Sequence, residues 1–129
     1  MKNIENKNII VTGASGGIGN SIVEKLYEHE ANILASGTKI EKLEELKKKF
    51  PKIKILGFDI SENNKIEEFI ENGVNELGGL DCIVNNAGIT QDNLAIRMSI
   101  EEWKKVIDIN LTSTFLMSKF AIKKMLKNK

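Results

Sequence analysis

The chain has 129 residues, a length that suits one domain and can bury a real core. With 41% hydrophobic and 29% charged residues it has the composition of a water-soluble globular protein, and a formal net charge of +1 supplies no overall field for nucleic acid or an anionic membrane. The single cysteine, Cys82, excludes an internal disulfide, the start from Met1 to Lys7 is polar, and no apolar run is long enough to span a bilayer, so a soluble cytoplasmic protein is expected.

Short β-branched runs alternate with longer helical patterns. Asn8-Ile9-Ile10-Val11-Thr12 predicts a buried strand ending at a glycine-rich turn, after which Ile18, Ile22, Val23 and Leu26 recur at helical spacing. Ala31 to Ser36 is a second apolar run. A helix follows it, with Thr38 and Glu41 spaced as a capping box and Ile40, Leu43, Leu46 and Phe50 on one face, until Pro51 stops it. Ile53 to Phe58 predicts a third strand ending at Asp59. Ser61 can cap the next helix, whose apolar face uses Ile66, Phe69, Ile70, Val74 and Leu77. Gly78-Gly79 breaks that helix, and Leu80 to Asn85 predicts the fourth strand. A loop from Asn86 to Met98 leads to a long helix, opened by a Ser99–Glu102 capping box and carrying Trp103, Val106, Ile107, Leu111 and Phe115.

This alternation implies parallel strands with right-handed crossovers and helices on both faces, a doubly wound, Rossmann-like α/β sheet over residues 1–129. The pattern stops on a helix with no fifth strand returning to the sheet. The fourth strand would then keep an uncovered apolar edge, so an incomplete domain is expected.

Thr12-Gly13-Ala14-Ser15-Gly16-Gly17-Ile18-Gly19 lies between the first strand and the first helix. Glycines there allow a tight turn and a close backbone approach to a pyrophosphate, and the helix N-terminus offers unpaired N–H groups and positive dipole. Gly13, Gly17 and Gly19 give G-x-x-x-G-x-G, while Gly13, Gly16 and Gly19 also satisfy G-x-x-G-x-x-G. Taken alone, the turn could equally be a packed bend with no ligand.

Asn85-Asn86-Ala87-Gly88 follows the fourth strand, at the carboxyl edge where open α/β sheets bind ligands. With it, the chain resembles the classical short-chain dehydrogenase/reductase family. Asp59 after the third strand, Asp81 opening the fourth and Asn110 in Val106-Ile107-Asp108-Ile109-Asn110-Leu111 fit the same pattern. The stretch from Gly88 to Leu94, followed by Arg97-Met98 and Glu101-Glu102-Trp103, is similar to the 3-oxoacyl-(acyl-carrier-protein) reductases of fatty-acid synthesis.

The resemblance implies that Gly13, Ser15, Gly17, Ile18 and Gly19 hold a cofactor's phosphates and ribose. Asp59 and Ile60 would border the adenine, and Asn86, Ala87 and Gly88 would line the adenosine ribose. Asn110 would match the asparagine of the family's Asn-Ser-Tyr-Lys tetrad, bending the long helix and binding a water in a proton relay. An acid about 20 residues past the glycine turn selects NAD. Here the second strand ends in Ser36, Gly37, Thr38 and Lys39 with no acid, which favours NADP(H), with Thr38 among its contacts. Gly16 departs from relatives that carry a basic residue there, and leaves NAD(H) open.

The implied reaction is reduction of a 3-oxoacyl thioester, on acyl carrier protein, to the 3-hydroxyacyl product by an oligomeric, tetrameric enzyme. Its tyrosine and lysine lie one helical turn apart. This chain's only tyrosine is Tyr27 and four residues later stands Ala31, so the chain by itself is expected to be inactive. A non-catalytic dinucleotide-binding module, or another alcohol or sugar dehydrogenase, are the alternatives. No metal site is expected. Among lone candidates, His29 reads as a helix-terminal group, Cys82 as a small core residue, Trp103 as core or interface, and Ser113 and Ser118 as helix-surface residues. Lys127 or Lys129 could face the acidic carrier protein, and Val106 to Met125 could form part of an oligomer face.

Overall fold

The computed structural model describes residues 2–88 and 97–127. Strands β1 (Asn8–Val11), β2 (Asn32–Gly37), β3 (Lys54–Gly57) and β4 (Cys82–Val84) form one parallel sheet in the order β3-β2-β1-β4. Helices α1 (Gly17–Glu28), α2 (Ile40–Lys49) and α3 (Ile66–Leu77) make the crossovers. After β4 come α4 (Ile100–Ile107) and α5 (Ser113–Lys127). Among the described residues no helix is long and apolar enough to cross a membrane.

The central strands are apolar on both faces because both are covered. Ile9, Val11, Ile33 and Ala35 pack with Val23 of α1 and Leu43 and Leu46 of α2. Ile10 and Leu34 point the other way, onto Ile66, Phe69 and Ile70 of α3 and Met117 and Ala121 of α5. Each large side chain so buried contributes about 1.5–3 kcal/mol. β1 and β2 therefore carry the layer, while β4, with no fully buried residue, adds little.

Register puts Ile9 opposite both Ile33 and Cys82, and Val11 opposite Ala35 and Val84. At the base of the β1–β4 pair Asp81 Oδ2 accepts from the Asn8 N–H at 2.9 Å, and the Asp81 N–H donates to the Asn8 carbonyl at 2.9 Å. The chain crosses from β3 over β1 to β4, so the sheet reverses its winding between β1 and β4 and the loops leaving these strands flank a crevice.

Several features depart from the sequence pattern. No Thr38–Glu41 capping box forms: β2 runs on to Gly37, Lys39 is the N-cap of α2, and no side chain caps it. Ser61 does not cap α3, because a 3-10 turn at Asn63–Lys65 intervenes and the Ser61 N–H donates instead to Asp59 Oδ1 at 2.9 Å. The Ser99 cap does form, its Oγ accepting from the Glu102 N–H at 3.1 Å. The long helix is interrupted by a π-helical turn, Asp108–Thr112.

Cys82 is exposed and not a core residue, since β4 has no strand on its outer side among the described residues. Trp103, 54% exposed, is not core either. Ser113 is buried and Ser118 half-buried, the latter accepting from Asn85 Nδ2 at 3.1 Å, so neither is a free helix-surface residue. His29 ends α1, its Nδ1 donating to the Lys25 carbonyl at 2.9 Å. Lys129 and residues 89–94 of the loop similar to the carrier-protein reductases lie outside the described residues.

Candidate functional site

The crevice holds a cleft of about 410 Å³, within the ~300–1,000 Å³ range of small-molecule sites. Its walls are the carboxyl ends of all four strands. Gly13, Ser15, Gly17, Ile18 and Gly19 come from the β1–α1 turn, Thr38 follows β2, Asp59 and Ile60 follow β3, and Asn86, Ala87 and Gly88 follow β4. Every residue proposed from sequence as a cofactor contact is thus on one surface. Thr12, Gly16, Ser36, Gly37, Phe58 and Ile109 complete it, and Lys39 is not among the lining residues.

The floor of the cleft is built on Thr12, 98% buried. Its Oγ1 donates to the Val84 carbonyl at 3.3 Å and accepts from the N–H groups of Asn86 at 3.1 Å and Ala87 at 3.0 Å. Asn86 Nδ2 donates to the Gly13 carbonyl at 3.1 Å. The glycine turn and the Asn-Asn-Ala-Gly loop are therefore stitched together. In the sequence, Thr12 stands out only as the end of a strand and the first residue of the glycine turn. The available signal was a hydroxyl closing a fully apolar run, since a buried polar group needs partners.

The glycines of the turn fill different needs. Gly13 has φ +66°, and a Cβ there would stand 2.8 Å from the backbone N and Cα of Ala87. A Cβ on Gly19 would overlap the Gly13 carbonyl, so α1 could not sit down on the turn. A Cβ on Gly37 would meet Ser15 Oγ at 2.6 Å, where β2 closes on the turn. Gly17 differs: nothing lies within 4 Å of a Cβ there, so no internal contact calls for glycine.

Gly16 is the N-cap of α1 and contributes no side-chain cap, so the first N–H groups of the helix stay available beside Gly17. Among the described residues, Asp59 is the only charged one lining the cleft. An anion there would be met by backbone N–H groups and helix dipole instead of by lysine or arginine.

Asn110 lies in the π turn rather than on the cleft wall. Its carbonyl accepts from Thr114 Oγ1 at 2.6 Å, and its Oδ1 stands 2.8 Å from where a Gly88 Cβ would be. Gly88 thus lets the cleft's last residue close on the turn that carries Asn110. Tyr27 is elsewhere, on α1 with its ring 5.0 Å from that of Phe50. No group of three or more His, Cys, Asp or Glu able to hold a metal ion occurs among the described residues.

A parallel sheet of order β3-β2-β1-β4, with a glycine turn and an Asn-Asn-Ala-Gly loop at its switch point, defines a Rossmann-like α/β fold. The profile of the short chain dehydrogenase family matches residues 7–129, and the chain belongs to that family. Among curated relatives, it is 39% identical to the 3-oxoacyl-(acyl-carrier-protein) reductase FabG of Rickettsia bellii, over 100% of this chain and 52% of that protein. The same-named protein of Vibrio cholerae is 38% identical over 98% of this chain and 52% of its own length. The crystal structure of a short-chain dehydrogenase/reductase, SDR:Glucose/ribitol dehydrogenase, from Brucella melitensis aligns with TM-score 0.86 at 30% identity, over 95% of this chain and 51% of that one. The chain spans about half the length of the curated relatives it matches.

Proposed function

We propose that this chain forms the cofactor-binding half of a cytoplasmic, NADPH-dependent reductase that converts a 3-oxoacyl thioester into a 3-hydroxyacyl thioester in fatty-acid biosynthesis. The observation that carries the cofactor half of the reading is Gly17, a glycine with open space where its Cβ would be, at an uncapped helix N-terminus inside the cleft. Packing does not explain it, whereas room for a phosphate does.

On this reading Gly13, Ser15, Gly17, Ile18 and Gly19 hold the phosphates and ribose, and Asn86, Ala87 and Gly88 line the adenosine ribose. Asp59 and Ile60 border the adenine. Ser36 and Thr38 offer hydroxyls to a 2′-phosphate, and the end of β2 itself carries no acid. When bound, the cofactor supplies the hydride. Asn110 belongs to the proton path as the residue that holds a water. Acyl carrier protein as the thioester's carrier, and a homotetramer built partly on α4 and α5, are parts of the same proposal.

The 129 residues contain no Tyr-x-x-x-Lys pair, which favours cofactor binding without turnover by this chain alone. Calorimetric titration tests both halves. NADPH should bind tighter than NADH by about tenfold, the worth of one or two charge-assisted hydrogen bonds. Tighter NADH binding would reverse the cofactor assignment, and no binding of either would remove the site. NADPH mixed with an acetoacetyl thioester and the chain should be oxidised no faster than without protein.

A further inference from the structure

Ser113 opens α5 as a residue only 1% exposed, and its partners are unusual for a helical serine. Such a hydroxyl commonly bonds a carbonyl one turn back. Here the Asp108 carbonyl, one π turn back, is the long contact at 3.4 Å. The two short ones, 2.8 Å each, are the Ile60 carbonyl and Asn63 Oδ1, 53 and 50 residues away in the β3–α3 connection. Asn63 Nδ2 closes the circuit by donating to Asp108 Oδ1 at 3.1 Å. One buried proton is therefore shared among acceptors on two segments, and its loss would leave an acceptor unpaired in the interior.

Both segments belong to the site. Ile60 lines the cleft beside Asp59, and Asp108 begins the π turn whose Ile109 lines the cleft and whose Asn110 meets Gly88. π turns interrupt a helix at a cost and recur at functional positions. We infer that Ser113 is a positioning residue that locks the Asp59–Ile60 wall to the π turn, so that a ligand ordering the wall also orders the turn carrying Asn110. The inference rests on the dinucleotide reading above. Neither sequence spacing nor the apolar pattern of α5 marks this role, because the acceptors are distant in the chain.

Hydrogen exchange of the 129-residue chain, with and without NADPH, reads the link directly. In the unaltered chain the ligand should slow exchange both at 58–62 and at 108–113. Ser113→Ala should keep the slowing at 58–62, lose it at 108–113, and bind NADPH roughly fivefold more weakly, the worth of one buried hydrogen bond. Ser113→Thr, which retains the hydroxyl, should restore the response at 108–113. If Ser113→Ala does not fold, Asn63→Ala in the more exposed connection removes one acceptor and the Asp108 link, and should reduce the response at 108–113. A response at 108–113 unchanged in Ser113→Ala, or in Asn63→Ala where that variant replaces it, would overturn the inference, since direct contact of the ligand with Ile109 would then suffice. Absence of NADPH binding by the unaltered chain would instead bring down the dinucleotide reading and the inference with it.

Discussion

At Gly13 a side chain has nowhere to go, because φ is +66° and the Ala87 backbone stands 2.8 Å from the Cβ position. Positive φ and a contact with unyielding backbone add, so Gly13→Ala should destabilise the fold by about 2–4 kcal/mol, read as a lowered urea midpoint. Gly17→Ala meets no atom within 4 Å and should change stability by no more than about 0.5 kcal/mol. Its effect belongs to binding, where the methyl group would occupy phosphate space and weaken NADPH by about tenfold or more. Unaltered NADPH affinity in Gly17→Ala would show that the phosphates lie elsewhere. These residues were legible in the sequence because their chemistry is backbone chemistry, written as glycine spacing. Thr12 and Ser113 were not, because each acts through acceptors and donors that only the tertiary fold brings near.

At the level of elements, the strand–helix alternation survived intact, while only some of the expected ends did, the Ser99 cap among them. Thr38 and Ser61 have good capping chemistry, but β2 runs on to Gly37 and a 3-10 turn precedes α3, so neither stands at an N-cap. The π turn was hidden from the apolar pattern for a different reason, although the family resemblance implies a bend at Asn110. The run from the π turn through α5 is apolar on two sides, with Met117 and Ala121 inward and Leu111, Phe115, Ile122 and Leu126 outward, so a one-residue phase shift leaves the helical pattern plausible.

Cys82 was misplaced because its apolar neighbours on the strand suggest burial, although the sequence pattern, with no fifth strand, already leaves β4 an open edge. Its edge position has a consequence for pH. Partial burial of the sulfur, and secondly the Asp81 carboxylate, push the thiol above its usual range. The fold therefore favours the protonated thiol. That contribution is fully present below the unfolded-chain value, about 8.5, and is lost as pH rises through the higher folded value. Between neutral pH and about pH 10 the urea midpoint of the chain should fall more than that of Cys82→Ala. Equal falls in the two proteins would show that the folded thiol titrates as it does in the unfolded chain.

Over the whole molecule, the exposed apolar run of the last helix lies apart from the cleft, whose own exposed apolar residue is Ile18. The cleft occupies the carboxyl ends of the strands, while Leu111, Phe115, Ile122 and Leu126 recur on the outward face of the helix after β4, each more than half exposed, with Trp103 exposed on α4. An exposed apolar face of this kind favours association. Sedimentation velocity should show the chain associating as its concentration rises, by mass action. Phe115→Glu combined with Ile122→Glu should shift it to monomer, since each places a carboxylate where apolar contact is made and neither residue touches the inner core. NADPH affinity should be unchanged in that variant, because neither substituted residue lines the cleft and distant sites contribute independently. A chain that stays monomeric at high concentration would mean that this face is not complementary to itself. Loss of cofactor affinity in a variant that still folds, checked by circular dichroism, would mean that association helps to shape the cleft, with the π turn between α4 and α5 as the element that carries the effect.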